Sequence, residues 1–137
     1  MEYCLVTDTL CKQYRNFKAL NGLSMHIPKG SIYGLVGRNG AGKTTLIRLI
    51  SGIQEPTSGS YTLYDVENTE KAIYKVRQRM GAVVESPAIY LDMTAEDNLK
   101  MQYQILGIPS YDGIPELLQL VDLADCGANP LTGSSKT

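Results

Sequence analysis

The chain has 137 residues, 43% of them apolar and 20% charged, with a formal net charge of −1. That is enough for one domain with its own core, and the near-neutral balance gives no basic surface for nucleic acid or an anionic membrane. No apolar run approaches the ~18 residues that span a bilayer. The acidic start, MEYCLVTDTL, has no basic region ahead of an apolar stretch, so no signal peptide is expected. The cysteines are Cys4, Cys11 and Cys126. Their odd number and the lack of a Cys-x-x-Cys spacing fit packed thiols in a reducing cytoplasm better than a disulfide or zinc framework.

In chain order the first elements read as strands, near Tyr3–Cys11 and Leu20–Ile27. In the second, Leu23, Met25 and Ile27 share one face, and Ser24 and His26 the other. His26, the single histidine, therefore reads as a surface residue. Pro28–Gly30 is a turn. Ser31–Val36, SIYGLV, is an almost unbroken apolar run, the pattern of a strand buried on both faces. A glycine-rich loop follows, and then a helix from Lys43 that Gly52 ends. Leu46, Ile47, Leu49 and Ile50 leave that helix almost no polar face, so burial is expected.

EPTSGS reads as a loop and SYTLYD, from Ser60, as a short strand. In TEKAIYKVRQRM, Ile73, Val76 and Met80 recur at helical spacing. GAVVE, Gly81–Glu85, is a second short buried strand. After a loop, Thr94 is the N-cap of a helix whose N3 residue, Asp97, makes an acidic version of a capping box. Ala95, Leu99, Tyr103 and Leu106 line one face of it. A last helix lies in PELLQLVDLAD, with Leu117, Leu120, Val121 and Ala124 as its stripe. From Cys126 the tail, CGANPLTGSSKT, lacks periodicity and is expected to be disordered. No internal repeat is visible.

Gly37-Arg38-Asn39-Gly40-Ala41-Gly42-Lys43-Thr44 fits G-x-x-x-x-G-K-[S/T]. The chemistry needs each part. Glycines open backbone conformations that bring the chain close to a phosphate. The amides then converge as an anion nest at a helix N-terminus. Lys43 supplies a point charge to the β- and γ-phosphates, and Thr44 offers a hydroxyl to Mg²⁺, which takes its other ligands from phosphate and water. A chance glycine turn is the alternative. The loop lies between an apolar strand pattern and a helix, which is the context the motif requires.

Residues Ala19–Ser60, ALNGLSMHIPKGSIYGLVGRNGAGKTTLIRLISGIQEPTSGS, resemble the ATP-binding subunit of an ABC transporter. The likeness includes the lead-in strands, the loop through Thr44 and Thr45, and the P-x-S-G turn. It extends to about residue 125. It implies an α/β fold: a P-loop NTPase (RecA-like) core with an antiparallel β subdomain over residues 1–85, and the start of an α-helical subdomain over 86–125. It implies ATP and Mg²⁺ as cofactors, with Gly37, Arg38, Asn39, Gly40, Ala41, Gly42, Lys43, Thr44 and Thr45 around the phosphates. Tyr14, in KQYRNFKAL, stands where the family stacks an aromatic on adenine. Phe17 is a weaker candidate, and a plain surface tyrosine is the alternative.

Most of the family has glutamine where this chain has Glu85, followed by SPAIY and MTAEDNL. That departure is similar to the ATPases of bacitracin-resistance and lantibiotic-immunity exporters. The resemblance makes Glu85 a sensor near Mg²⁺, with Thr44 and Glu85 as the metal-facing pair. A carboxylate only accepts hydrogen bonds and adds a full negative charge beside the metal. An exposed acid at a strand end is the bland alternative.

The implied partners are a membrane-spanning permease subunit and, in a complete dimer, a second ATP-binding subunit, with no nucleic acid. The implied location is the inner face of the cell membrane. No complete catalytic set is present: no LSGGQ-like signature, Walker B acid, catalytic glutamate or switch histidine stands in this sequence. The chain is therefore expected to be an N-terminal portion that holds MgATP without turning it over. Its Ser31–Val36 strand would lack a neighbour, with poor solubility as the consequence. Two other functions are compatible with the motifs: a non-hydrolysing ATP-binding or interaction module, and a fragment of a soluble ABC translation factor.

Overall fold

A computed structural model describes residues 2–86 and 89–126. The chain divides into two compact units, Met1–Ser86 and Pro87–Thr137.

The first unit is built on a long hairpin. Strand β1 (Tyr3–Tyr14) and strand β2 (Phe17–Pro28) pair antiparallel from Tyr3↔Pro28 to Tyr14↔Phe17. Both run longer than the apolar patterns Tyr3–Cys11 and Leu20–Ile27 suggest, because backbone pairing carries them past the last buried side chain. Strand β3 (Ser58–Leu63) adds to the other edge of β1, and the short β4 (Val66–Glu67) to β3, giving the order β2-β1-β3-β4. The alternation of β1 breaks between Thr7 and Leu10, where Thr9 has φ 43° and the register shifts against both neighbours. Gly59 lies opposite with φ +76°, and a Cβ there would stand 2.3 Å from the Thr9 carbonyl oxygen. This is a bulge that only glycine accommodates. Buried Thr7 mends the ladder: its hydroxyl donates to the Leu23 carbonyl at 2.9 Å and accepts from the Met25 amide at 3.0 Å.

Helix α1 (Lys43–Ile50) and the short helix α2 (Ile73–Arg77) pack on one face of this sheet. Leu5, Leu10, Leu20, Met25, Leu46, Leu49, Tyr61, Leu63 and Ile73 form the core. Each buried leucine contributes ~1.5–3 kcal/mol relative to exposure. Leu46 and Leu49 thus fix which way α1 faces, and with it the loop that α1 extends. Ile47 was expected inside but is exposed, because the sheet covers only one side of α1. The far end of the helix is tied down by polar groups. The Tyr61 hydroxyl donates to the Leu49 carbonyl at 2.8 Å, and Arg77 donates to the Ile50 carbonyl at 3.2 Å and to the Tyr61 oxygen. Gly52, at φ +77°, turns the chain away where the Arg77 guanidinium fills the space a Cβ would need.

Two expected strands are not strands in the structure. Residues 31–38 carry no regular secondary structure, and Ile32 and Val36 are 105% and 97% exposed. Residues 80–84 are likewise irregular, with Val83 70% exposed. A strand buried on both faces requires a hydrogen-bonded neighbour and cover on either side. Among the described residues the one sheet is antiparallel, and neither segment joins it. The mixed α/β class stands, with β1–β4 as the antiparallel part.

In the second unit, helix α3 (Ala95–Leu106) starts at Thr94, whose hydroxyl accepts from the Asp97 amide at 3.0 Å. The Asp97 carboxylate does not return to the Thr94 amide. It accepts from the Thr94 hydroxyl at 2.8 Å, so the motif is a side-chain pair rather than a reciprocal box. Helix α4 (Ile114–Leu120) buries Ile114 and Leu118 against Ala95, Leu99 and Tyr103. The stripe expected from Leu117, Leu120 and Val121 is exposed. The helix begins at Ile114 and ends at Leu120, which makes Ile114 and Leu118 the i, i+4 pair that faces α3. Leu106, expected in the α3 stripe, is also exposed. The expected tail lies, from residue 127 onward, outside the described residues. No helix among them is long and apolar enough to cross a membrane.

Candidate functional site

The glycine loop runs from Gly37 into the first turn of α1. Gly40 and Gly42 have φ +82° and +92°. A Cβ on Gly42 would lie 2.3 Å from the Ala19 carbonyl oxygen and 2.8 Å from Leu20 Cδ2. Glycine is thus required there both by backbone angle and by contact with β2. The Ala41 amide closes a turn on the Arg38 carbonyl at 3.0 Å. No side chain caps α1. Its first intrahelical bond runs from the Leu46 amide to the Gly42 carbonyl, at 2.9 Å. The amides of Lys43, Thr44 and Thr45 are therefore the orphan donors of the helix N-terminus, where the dipole favours an anion.

Lys43 bends back over the loop. Its Nζ donates to the Gly37 carbonyl at 2.5 Å and to the Arg38 carbonyl at 2.8 Å. The ammonium is thus already held at the mouth of the nest, with a third proton left to offer. Uncapped amides and a lysine on the same mouth fit a polyphosphate.

Tyr14 and Phe17 reach this loop from the tip of the β1–β2 hairpin. A cavity of about 270 Å³ is lined by Tyr14, Phe17 and Ala19 on one side and by Asn39, Gly40, Gly42, Lys43, Thr44 and Thr45 on the other. Tyr14 is held in place: its hydroxyl donates to Gln54 Oε1, and Lys12 Nζ lies 5.4 Å from its ring centroid. Lys12 is itself anchored on the Glu55 carbonyl at 2.6 Å. Phe17 is the more exposed of the two aromatics.

The remaining expected residues fall elsewhere. Gly37 and Ala41 line a smaller hollow of about 90 Å³ with Leu20, Leu35 and Leu46, and Arg38 contributes its carbonyl to Lys43. Glu85 does not line the cavity. It has φ 65°, in the left-handed region, and its carboxylate pairs with Arg48 at 3.0 Å. Arg48, Gln54 and Lys12 were not singled out from the sequence. Arg48 has a sequence signal, since it lies four residues after Thr44 on the same helix. Gln54 and Lys12 have none, because loop and strand geometry alone brings them to Tyr14. A larger hollow, about 640 Å³, lies in the second unit among Tyr103, Glu116, Leu117 and Leu120. It is apolar with an acid at its rim, which repels phosphate, so chemistry and not size selects the site.

The sequence profile of the family "ABC transporter" matches residues 20–136. The bacitracin transport ATP-binding proteins BcrA of Enterococcus faecalis and of Bacillus licheniformis are 37% and 39% identical over 123 residues. Each alignment covers 90% of this chain and 40% of the relative. The lantibiotic transport ATP-binding protein SrtF of Streptococcus pyogenes is 34% identical over 127 residues, covering 93% of this chain and 53% of the relative. The chain thus spans about half the length, or less, of these relatives. That family binds ATP, normally with Mg²⁺. With its glycine loop, its uncapped helix and a profile match over most of its length, the chain belongs to the ABC transporter family and carries a P-loop NTPase domain.

Proposed function

We propose that the chain is the nucleotide-holding part of an ABC exporter's ATP-binding subunit, and that the exporter's cargo is a peptide antibiotic. The observation that carries this reading is the cavity in which Tyr14 and Phe17 face Lys43, Thr44 and Thr45. It offers a π-face for a base at one end and an anion nest at the other, as a purine nucleotide requires. Lys43 and the amides of the first turn of α1 would hold the phosphates. Thr44 and Glu85 would face Mg²⁺, which when bound draws charge from the phosphate oxygens. Gly37, Arg38 and Ala41 shape the loop from behind. The cargo is inferred from the relatives named for bacitracin and lantibiotic transport.

Residues 1–85 are the core with its β subdomain, and 86–125 begin a helical subdomain whose partner is a membrane-spanning permease. A second ATP-binding subunit completes the dimer, at the cytoplasmic face of the membrane. The loop is tested by titrating a fluorescent ATP analogue into wild type and Lys43→Ala. Lys43→Ala is expected to weaken binding by at least tenfold while the melting temperature stays within a few degrees. Equal affinity in the two proteins would remove the loop from the site.

A further inference from the structure

Thr44 and Arg48 are four residues apart on α1 and so share one face of the helix. The rise along the axis between them is about 6 Å. Glu85 comes to this face from the irregular segment after α2, and its Oε1 accepts from the Arg48 guanidinium at 3.0 Å. The side chains of Arg48 and Glu85 are 35% and 64% exposed. Glu85 holds a left-handed backbone conformation that is strained for a residue other than glycine. The Glu85 carboxylate, held by a guanidinium whose residue lies one helical turn along α1 from Thr44, has one cationic partner among the described residues, and that partner competes directly with a metal for it.

We infer that Arg48 is a positioning residue that keeps the Glu85 carboxylate in reserve beside the nucleotide site, so that Mg²⁺ has to draw it away from the guanidinium. This rests on the reading of Glu85 as a metal-facing group. The guanidinium is a fork that fits one carboxylate and cannot lose its proton. What moves the carboxylate from the guanidinium is a stronger cation. A partly exposed pair is worth ~0.2–1 kcal/mol, which corresponds to roughly a 1.5- to 5-fold change in equilibrium. Such a hold can be released on binding, yet it is large enough to measure.

The test compares the dissociation constant of a fluorescent ATP analogue in excess EDTA with that in excess Mg²⁺, for the 137-residue chain and its variants. The ratio of the two constants reports how much the metal adds to binding. Arg48→Met is expected to raise that ratio about 2- to 5-fold, Arg48→Lys to keep it near wild type, and Glu85→Gln to lower it. In the Glu85→Gln background Arg48→Met is expected to change nothing further. An unchanged or lowered ratio in Arg48→Met, with Glu85→Gln still lowering it, overturns the role of Arg48 and leaves Glu85 as a metal-facing group. No effect of Glu85→Gln on the ratio defeats the reading of Glu85 itself. Melting temperatures recorded alongside separate folding from function: a less stable Arg48→Met with an unchanged ratio also counts against the inference.

Discussion

Tyr14 reaches the glycine loop because β1 continues three residues beyond Cys11, where the apolar pattern stops. The Gln54 side chain and Lys12 then fix the ring that the hairpin delivers. Aromatic stacking on a base is worth ~1–3 kcal/mol. Tyr14→Ala is therefore expected to weaken binding of the ATP analogue by about 5- to 150-fold. Tyr14→Phe should retain most of the affinity, and Phe17→Ala should cost less than Tyr14→Ala. A Phe17→Ala loss exceeding that of Tyr14→Ala would transfer the stacking role to Phe17. The glycine loop of the candidate site was legible residue by residue, because spaced glycines followed by Lys-Thr between an apolar run and a helix have few other uses. The hold on Glu85 was not. An Arg–Glu pair separated by 37 positions leaves no periodic trace, and it becomes visible only once α1 and the segment after α2 are placed together.

Helix α1 is anchored at its C-terminal end by Tyr61, Arg77 and Gly52, and free of any side-chain cap at the end where the loop lies. Fixing one end of a two-turn helix sets the direction of the amides at the other. Burial raises the pKa of the Tyr61 hydroxyl above the ordinary tyrosine value, outweighing the Arg77 guanidinium that pulls it down. The unfolded chain ionises this group near pH 10 and the folded chain only above that. The hydroxyl's contribution is thus intact below about pH 10 and lost as pH rises through the folded-state value. Tyr61→Phe leaves the Leu49 carbonyl and Arg77 without that partner and is expected to cost ~1–3 kcal/mol at pH 7. Denaturant unfolding at pH 7 and pH 10.5 measures it, and the gap between wild type and variant should narrow at the higher pH. A gap that widens there would mean that the Tyr61 hydroxyl does not stabilise the fold in its neutral form. Helix existence was legible from periodicity, and the N-cap Thr94 from its residue type. The facing side of α4 was not, since choosing Ile114 and Leu118 over Leu117 and Leu120 depends on where the helix begins.

Over the whole chain, two compact units carry different kinds of information. The first holds every residue proposed to touch nucleotide; alternation marks the Leu20–Ile27 stretch of its sheet as a strand, while the antiparallel arrangement is what the family resemblance implies. Ser31–Val36 and Gly81–Glu85 are apolar enough to be inner strands, yet among the described residues neither has a sheet neighbour, and Ile32, Val36 and Val83 are exposed. Sequence states what such a segment would bury. Pairing requires a second strand at hydrogen-bonding distance, and that is a long-range fact. In the proposed function one site, made of the hairpin tip and the glycine loop, holds the whole nucleotide. Photo-crosslinking with 8-azido-ATP, followed by peptide mapping, tests it most directly. Label is expected on the hairpin-tip peptide that contains Tyr14 and Phe17, suppressed by excess MgATP and absent in Lys43→Ala. Label confined to the second unit, or unaffected by MgATP, would contradict it.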